Sequence, residues 1–330
     1  MAELNMVEAI NLALREAMAE DDSVLVFGQD VGVDGGVFRV TEGLLEEFGQ
    51  ARVIDMPLAE SLIVGTAVGM AAYGLKPVCE LQFSGFSYEA FHQMESHAAR
   101  LRWRSQGRYP VPLVVRMPYG GGVRALEHHS ESREVYYAHT PGLKTVMPSS
   151  PRNARALLAG AIRDPDPVIF MEPKRLYRAF REEVPDEPEH IAPGTAAVVR
   201  SGGDVTLIAY GAMLPPTLEA AATLGDAHGI ECEVIDLRTL SPLDVDCIGA
   251  SSAKTGQVAV VHEAPKTYGP GAELVATINE HAFYYLKKPV RRIAGFDVII
   301  PLFAREHAYL PDCRRIVHEV LAMLELEQES

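Results

Sequence analysis

Apolar residues follow two rhythms along the chain. Short, continuous aliphatic runs occur at Val24–Phe27, Arg52–Asp55, Pro77–Phe83, Pro112–Met117, Lys144–Met147 and Pro167–Met171. Runs of this length without alternation fit strands covered on both faces. Between most of them lie longer segments with helical periodicity. One opens at Ser150-Pro151, where the serine can cap and the proline suits the first helical position. Strands alternating with helices predict a parallel sheet with helices on both sides. The stretch Arg181–Gly194 interrupts the pattern with prolines and acids, and residues 181–196 read as a linker. Beyond it the alternation restarts at Asp204–Gly211, Glu231–Arg238, Gln257–Ala264 and Val290–Phe296, with helices from Pro215, near Asp244 and from Gly271. A last helix from about Asp312 runs into the acidic tail Leu324–Ser330. Two α/β domains are expected, residues 1–180 and 197–330.

The 330-residue length agrees with two domains. With 30 basic against 45 acidic side chains the net charge is −15, which argues against a nucleic-acid partner. An acidic surface is commonly a solubility device; if the charge has a partner, that partner is basic. Cys79, Cys232, Cys247 and Cys313 lie far apart with no CxxC pair, which suits a reducing, cytoplasmic setting. Met1–Asp22 reads as an amphipathic acidic helix and not as a signal peptide. The apolar stretch Leu62–Leu75 falls short of the roughly 20 residues of a membrane span and contains three glycines. It reads as a buried helix whose Gly65 and Gly69 would admit a neighbouring backbone.

Few residues announce chemistry by pattern alone. Tyr119–Arg124, "YGGGVR", follows a strand but matches neither GxGxxG nor GxxxxGK[ST], and reads as a flexible turn. No "GDG" with a following Asn pair, the motif that holds a magnesium diphosphate in thiamine enzymes, occurs anywhere. Glu60 has two readings. It is a helix-start carboxylate favoured by the macrodipole, or a carboxylate desolvated by the apolar run behind it and able to hold a proton near neutrality. The adjacent His128 and His129 point in different directions and His139 stands apart, so metal ligation is poorly matched. They are surface histidines, or one of them lines a pocket as a proton donor. No Ser-His-Asp or GxSxG arrangement supports hydrolase chemistry.

Seven collinear stretches carry a resemblance: Phe27–Leu44, Asp55–Ser61, Glu80–Phe91, His128–Lys144, Ala161–Pro185, Glu233–Asp244 and Val260–Pro265. Together they resemble the beta subunits of the thiamine-diphosphate-dependent 2-oxoacid dehydrogenase component, a family covering pyruvate, branched-chain 2-oxoacid and acetoin complexes. The resemblance implies a transketolase-like pyrimidine-binding domain followed by a transketolase C-terminal domain. It implies that Glu60 hydrogen-bonds N1′ of the aminopyrimidine, favouring the tautomer that deprotonates the thiazolium and so prepares decarboxylation of the 2-oxoacid. By the same resemblance Phe86 stacks on the pyrimidine, Leu58 and Gln82 line its pocket, and His129 donates a proton as the acyl group passes to the lipoyl dithiolane. A potassium site is implied at Leu113, Ala161, Ile162, Asp164 and Asp166, mostly through carbonyl oxygens.

Three positions depart from the family pattern. Gln29 stands where a glutamate is common, behind the pyrimidine site; His92 replaces a frequent aspartate; and Gly295–Pro301 differs from the usual "GFDTPYP". The missing "GDG" implies that an alpha subunit supplies the Mg²⁺ and diphosphate half of the cofactor site, giving an α₂β₂ heterotetramer. The basic subunit-binding domain of the acyltransferase core, and its lipoyl domain, are further implied partners. Phe86, Ser84–Glu89 and Ile278–Ala282 lean towards the pyruvate enzymes, whereas Glu172–Arg178 leans towards the branched-chain ones. Pyruvate is favoured. A non-catalytic scaffold and a split transketolase half remain as rival readings.

Overall fold

The computed structural model describes residues 2–325, and every apolar run of the first half is a strand in it. A short β1 (Ala2–Leu4) leads into α1 (Met6–Glu20). Asn5 caps that helix: its Oδ1 accepts from the Glu8 amide at 3.0 Å, while Glu8 Oε2 accepts from the Asn5 amide at 2.9 Å. Then follow β2 (Val24–Gly28), α2 (Leu44–Phe48), β3 (Val53–Asp55), α3 (Glu60–Ala72), β4 (Lys76–Glu80), α4 (Tyr88–His92), α5 (Ala99–Arg104) and β5 (Val114–Tyr119). The first half continues with α6 (Glu134–Ala138), β6 (Lys144–Val146), α7 (Pro151–Arg163), β7 (Val168–Pro173) and β8 (Glu182–Val184). As expected, Ser150 caps α7 and Pro151 opens it.

The second half holds β9 (Ala197–Arg200), β10 (Val205–Ala209), α8 (Leu214–His228), β11 (Cys232–Asp236), β12 (Thr239–Ser241), α9 (Val245–Thr255) and β13 (Val258–Pro265). It ends with α10 (Pro270–Ala282), β14 (Arg291–Gly295), α11 (Glu306–Tyr309) and α12 (Cys313–Glu325). Most of the acidic tail expected after α12 lies outside the described residues.

Seven strands form the first sheet in the order β12-β6-β7-β5-β4-β2-β3, parallel except for β12. Five form the second, β14-β13-β10-β11-β9, parallel except for β9. Strand residues serve the two faces alternately. Val24 and Val26 join the core that α1 and α7 cover, whereas Leu25 and Phe27 join the core behind α3. Both cores run on into the second half, through Leu207 and Val234 in one and Ile208 and Ile235 in the other.

Three sequence expectations change. The linker begins as a strand, because β8 pairs antiparallel with β1, Ala2 opposite Val184. It then lies along α7, where the Ile191 amide donates to the Ala156 carbonyl at 3.0 Å and only a glycine at position 160 leaves room for the Ile191 carbonyl. The halves also exchange an element, since β12 from the second half pairs with β6 of the first sheet. Finally, α3 is buried on one side only. Ile63, Val64, Ala67 and Ala71 face the core, but Leu62 is 49% and Tyr73 89% exposed. A Cβ built at Gly69 would meet nothing within 4 Å outside its own helix, so among the described residues no close backbone neighbour lies over it.

One buried carboxylate links the halves. Glu134 of α6 accepts from the Tyr210 hydroxyl at 2.8 Å through one oxygen, and its other oxygen has no partner among the described residues. Burial is the main cause that pushes its carboxyl up to about 7. A folded pKa above the unfolded one means that the native state keeps a proton that the unfolded chain has released, so stability falls as pH rises from about 4.5 through about 7. The full cost above that window is about 3 kcal/mol. Glu134→Gln retains an acceptor for Tyr210, so urea unfolding should find it more stable than the parent at pH 8. The advantage should vanish near pH 5.

Candidate functional site

The carboxyl ends of four neighbouring parallel strands gather most of the residues picked out from the sequence. Register pairs Gly28 of β2 with Asp55 of β3 and with Glu80 of β4, so these strands end level. Gln29 follows β2, Leu58 and Glu60 follow β3, Gln82 and Phe86 follow β4, and His129 follows β5. In open α/β sheets such an edge is where ligands bind.

Glu60 is the first residue of α3, half-buried, and its carboxylate has no hydrogen-bond or ion-pair partner among the described residues. Leu58, two residues earlier, is 71% exposed. Gln29 is half-buried. The Gln82 amide donates to Asp30 Oδ2 at 2.9 Å, which steadies the turn after β2. Asp55 does the same from the next strand, accepting from the Gly32 amide at 2.6 Å and the Val33 amide at 3.1 Å.

Phe86 and His129 meet because two turns touch backbone to backbone. A side chain at Gly85 would place its Cβ 1.9 Å from the His128 carbonyl oxygen, so only glycine permits the approach. The Phe86 and His129 rings then lie 5.2 Å apart, edge to face, and Phe83 stands 4.4 Å from the His129 ring. His129 Nδ1 is buried and has no partner among the described residues. Desolvation, with help from the Lys174 charge, holds the imidazole below its ordinary pKa, so it is neutral at pH 7. His128 is exposed and pairs with Glu127 at 3.2 Å. His139 belongs elsewhere, lining a cleft of about 1320 Å³ between the two halves with residues such as Pro242 and His281.

Beneath these loops lies a buried ionic triad that the sequence did not disclose. Arg116 of β5 holds Glu172 of β7 through two bonds of 2.7 and 2.9 Å and Glu80 of β4 through one of 2.7 Å. The Tyr177 hydroxyl adds a fourth, donating to Glu172 at 2.6 Å. The three charged residues are at most 3% exposed. Burial raises the Glu80 carboxyl pKa, and the Arg116 charge works against that rise.

Residues 2–179 match the family described as "Transketolase, pyrimidine binding domain", and residues 194–316 match "Transketolase, C-terminal domain". The chain is 51% identical over 316 residues to "Pyruvate dehydrogenase E1 component subunit beta" of Acholeplasma laidlawii, covering 96% of each. It is 49% identical over 325 residues to the protein of that name from Bacillus subtilis, covering 98% of this chain and 100% of the relative. The chain belongs to the beta-subunit family of the 2-oxoacid dehydrogenase component. Among solved structures, "Split gene transketolase, inactive beta4 tetramer" superposes with a TM-score of 0.81 at 24% identity, covering 98% of this chain and 99% of that one, a likeness of fold.

Family membership gives the carboxyl-end loops a ligand to be tested against. An unpartnered carboxylate at Glu60, an unpartnered buried nitrogen at His129 and the aromatic face of Phe86 fit a flat, basic heteroaromatic ring such as the aminopyrimidine of this thiamine-dependent family. The residues suggested for potassium fit their ion less well. Lys144 Nζ sits 2.7 Å from both Asp164 carboxylate oxygens and 3.4 Å from Asp166, and Arg102 lies 2.6 Å from Asp166. The Ala161 carbonyl accepts from the Asp164 amide at 3.2 Å and the Leu113 carbonyl from the Val168 amide at 2.9 Å, while the Ile162 side chain is buried. Two carboxylates are thus matched by two internal cations, so of the suggested ligands the carbonyl oxygens, each with a second lone pair, are the ones left to an ion. The described residues contain no cluster of His, Cys, Asp and Glu able to hold a metal, and no helix long and apolar enough to cross a membrane.

Proposed function

We propose that this chain is the beta subunit of a pyruvate dehydrogenase first component, active with an alpha subunit. Together they decarboxylate pyruvate oxidatively and pass the acyl group to the lipoyl group of an acyltransferase. The observation that carries the reading is that Glu60, Phe86 and His129 all follow the carboxyl ends of strands of one sheet, with the Phe86 and His129 rings in contact, in a chain with no magnesium-diphosphate motif. The full-length identity to pyruvate dehydrogenase beta subunits supports the choice of oxoacid.

In this reading Glu60 holds a proton against N1′ of the pyrimidine, Phe86 stacks on the ring, and Leu58, Gln82 and Gln29 wall the pocket. Bound thiamine diphosphate supplies the electron sink for decarboxylation. The alpha subunit holds Mg²⁺ and the diphosphate, and it covers the open side of α3, where Leu62, Gly69 and Tyr73 are exposed. That cover removes water from Glu60 and strengthens its hydrogen bond. His129, neutral at rest in its aromatic niche, takes up a proton from solvent and, as the imidazolium, gives it to the lipoyl sulfur released when the S–S bond breaks, returning to the neutral form. The assembly is an α₂β₂ heterotetramer in the cytoplasm, docked by its acidic surface on the basic subunit-binding domain of the acyltransferase core.

The test is co-expression with the alpha subunit, followed by decarboxylation rates for pyruvate and for branched-chain 2-oxoacids. Copurification with the alpha chain and fastest turnover of pyruvate are expected. Faster turnover of the branched-chain acids would reassign the substrate. An assembled but inert complex, or one that transfers ketol groups between sugar phosphates, would overturn the reading.

A further inference from the structure

The triple glycine Gly120–Gly122, which resembles no phosphate loop, forms the start of the strap that runs from β5 to His129. It is not loose. The Gly121 amide donates to Glu263 Oε2 of β13 at 3.1 Å, and the Arg124 amide donates to Glu306 Oε2 of α11 at 2.9 Å. Lys174 donates to the Gly120 carbonyl from the other side, and the Gly120 amide donates to the Glu131 carbonyl at 3.1 Å, closing the strap on itself.

Each glycine answers to a different neighbour. A Cβ at position 120 would lie 2.3 Å from Glu263 Oε1, and one at 122 would lie 2.5 Å from Arg175 Cδ. At 121 it would meet Ile300 Cδ1 at 2.8 Å and Glu306 Oε1 at 3.0 Å. Glu263, Glu306 and Lys174 are at most 4% exposed. Burying three charged groups is costly, and here they converge on the backbone of one loop. Their amide partners are also occupied, which leaves no cradle for a phosphate.

We infer that Glu263 and Glu306, both from the second half, are positioning residues for His129: they hold the glycine strap that sets its ring against Phe83 and Phe86. The inference rests on the role given to His129 above. It makes the second half part of the active site without contributing a group to the reacting atoms.

The test uses the assembled complex with its alpha subunit. Glu306→Ala should speed tryptic cleavage after Arg124, and it should lower acyl transfer to a lipoyl domain by about ten-fold more than decarboxylation coupled to an artificial electron acceptor. Glu306→Gln keeps an oxygen for the Arg124 amide and should restore both readouts to within about three-fold of the parent. The inference is overturned if the alanine variant transfers acyl groups normally while His129→Ala does not. It is also overturned if both partial reactions fall together. Should His129→Ala itself transfer normally, the role of His129 fails and the inference with it. That failure is distinguishable, because release of the strap would still show in the cleavage rate.

Discussion

Glu60→Gln, in the complex with the alpha subunit, is expected to lower decarboxylation of the 2-oxoacid by at least about a hundred-fold while the complex still assembles. The substitution preserves size and a hydrogen-bonding oxygen, so helix α3 should start where it does now. What it removes is the ability to hold an acidic proton against a ring nitrogen. General acid–base groups contribute roughly 10² to 10⁴ in rate, and the carboxylates nearest the strand ends, Asp30, Asp55 and Glu80, are already held by hydrogen bonds or an ion pair. Binding should suffer less than turnover, because stacking on Phe86 is untouched. Cofactor affinity by calorimetry, set beside single-turnover decarboxylation, separates the two effects. Near-parent turnover by the variant would remove Glu60 from the chemistry.

How far the sequence could be read depended on which signal each feature leaves. Long aliphatic runs are legible because both faces of a parallel sheet must be apolar, and each of the six in the first half became a strand. The Ser150 cap fell where expected, and the helix expected near Asp244 begins there, while the caps at Asn5 and Asp244 themselves were equally open to local rules. The short β8, with its Glu182 and Glu183, looked like linker because its only sheet partner is the three-residue β1. The one-sided burial of α3 escaped because a helix rich in Ala, Gly and Val has no polar face to reveal which side is open. Glu60, Phe86 and His129 were found by resemblance, which supplies spacing between loops far apart in the chain. Gly85 was missed. Its need arises from the His128 carbonyl, some forty residues away, and no local pattern records such a contact. The same holds for Glu263, an ordinary acid in a strand until the glycine strap is seen against it.

The Glu80–Arg116–Glu172 triad gives the largest expected change in stability. Arg116→Met keeps most of the volume and removes the only cation, which leaves two carboxylates buried side by side. Breaking a buried ion network from one side costs about 3–5 kcal/mol, because the remaining charges stay desolvated and unpaired. Part of that cost can be escaped by taking up protons. Burial already raises the Glu80 carboxyl and without the guanidinium that rise is less opposed, so the variant's deficit is present at high pH and shrinks as pH falls towards the ordinary carboxylate range. Thermal unfolding at pH 8 and pH 5 should show this narrowing gap between variant and parent. Adding Glu80→Gln and Glu172→Gln to Arg116→Met removes the stranded charges, and the amide oxygen at position 172 can still accept from Tyr177. The triple variant should therefore recover most of the loss, and more of it at pH 8 than at pH 5. A single Arg116→Met protein as stable as the parent at pH 8 would mean that the triad does not hold the ends of β4, β5 and β7 together. The loops of Phe86 and His129 would then owe their placement to the apolar cores alone.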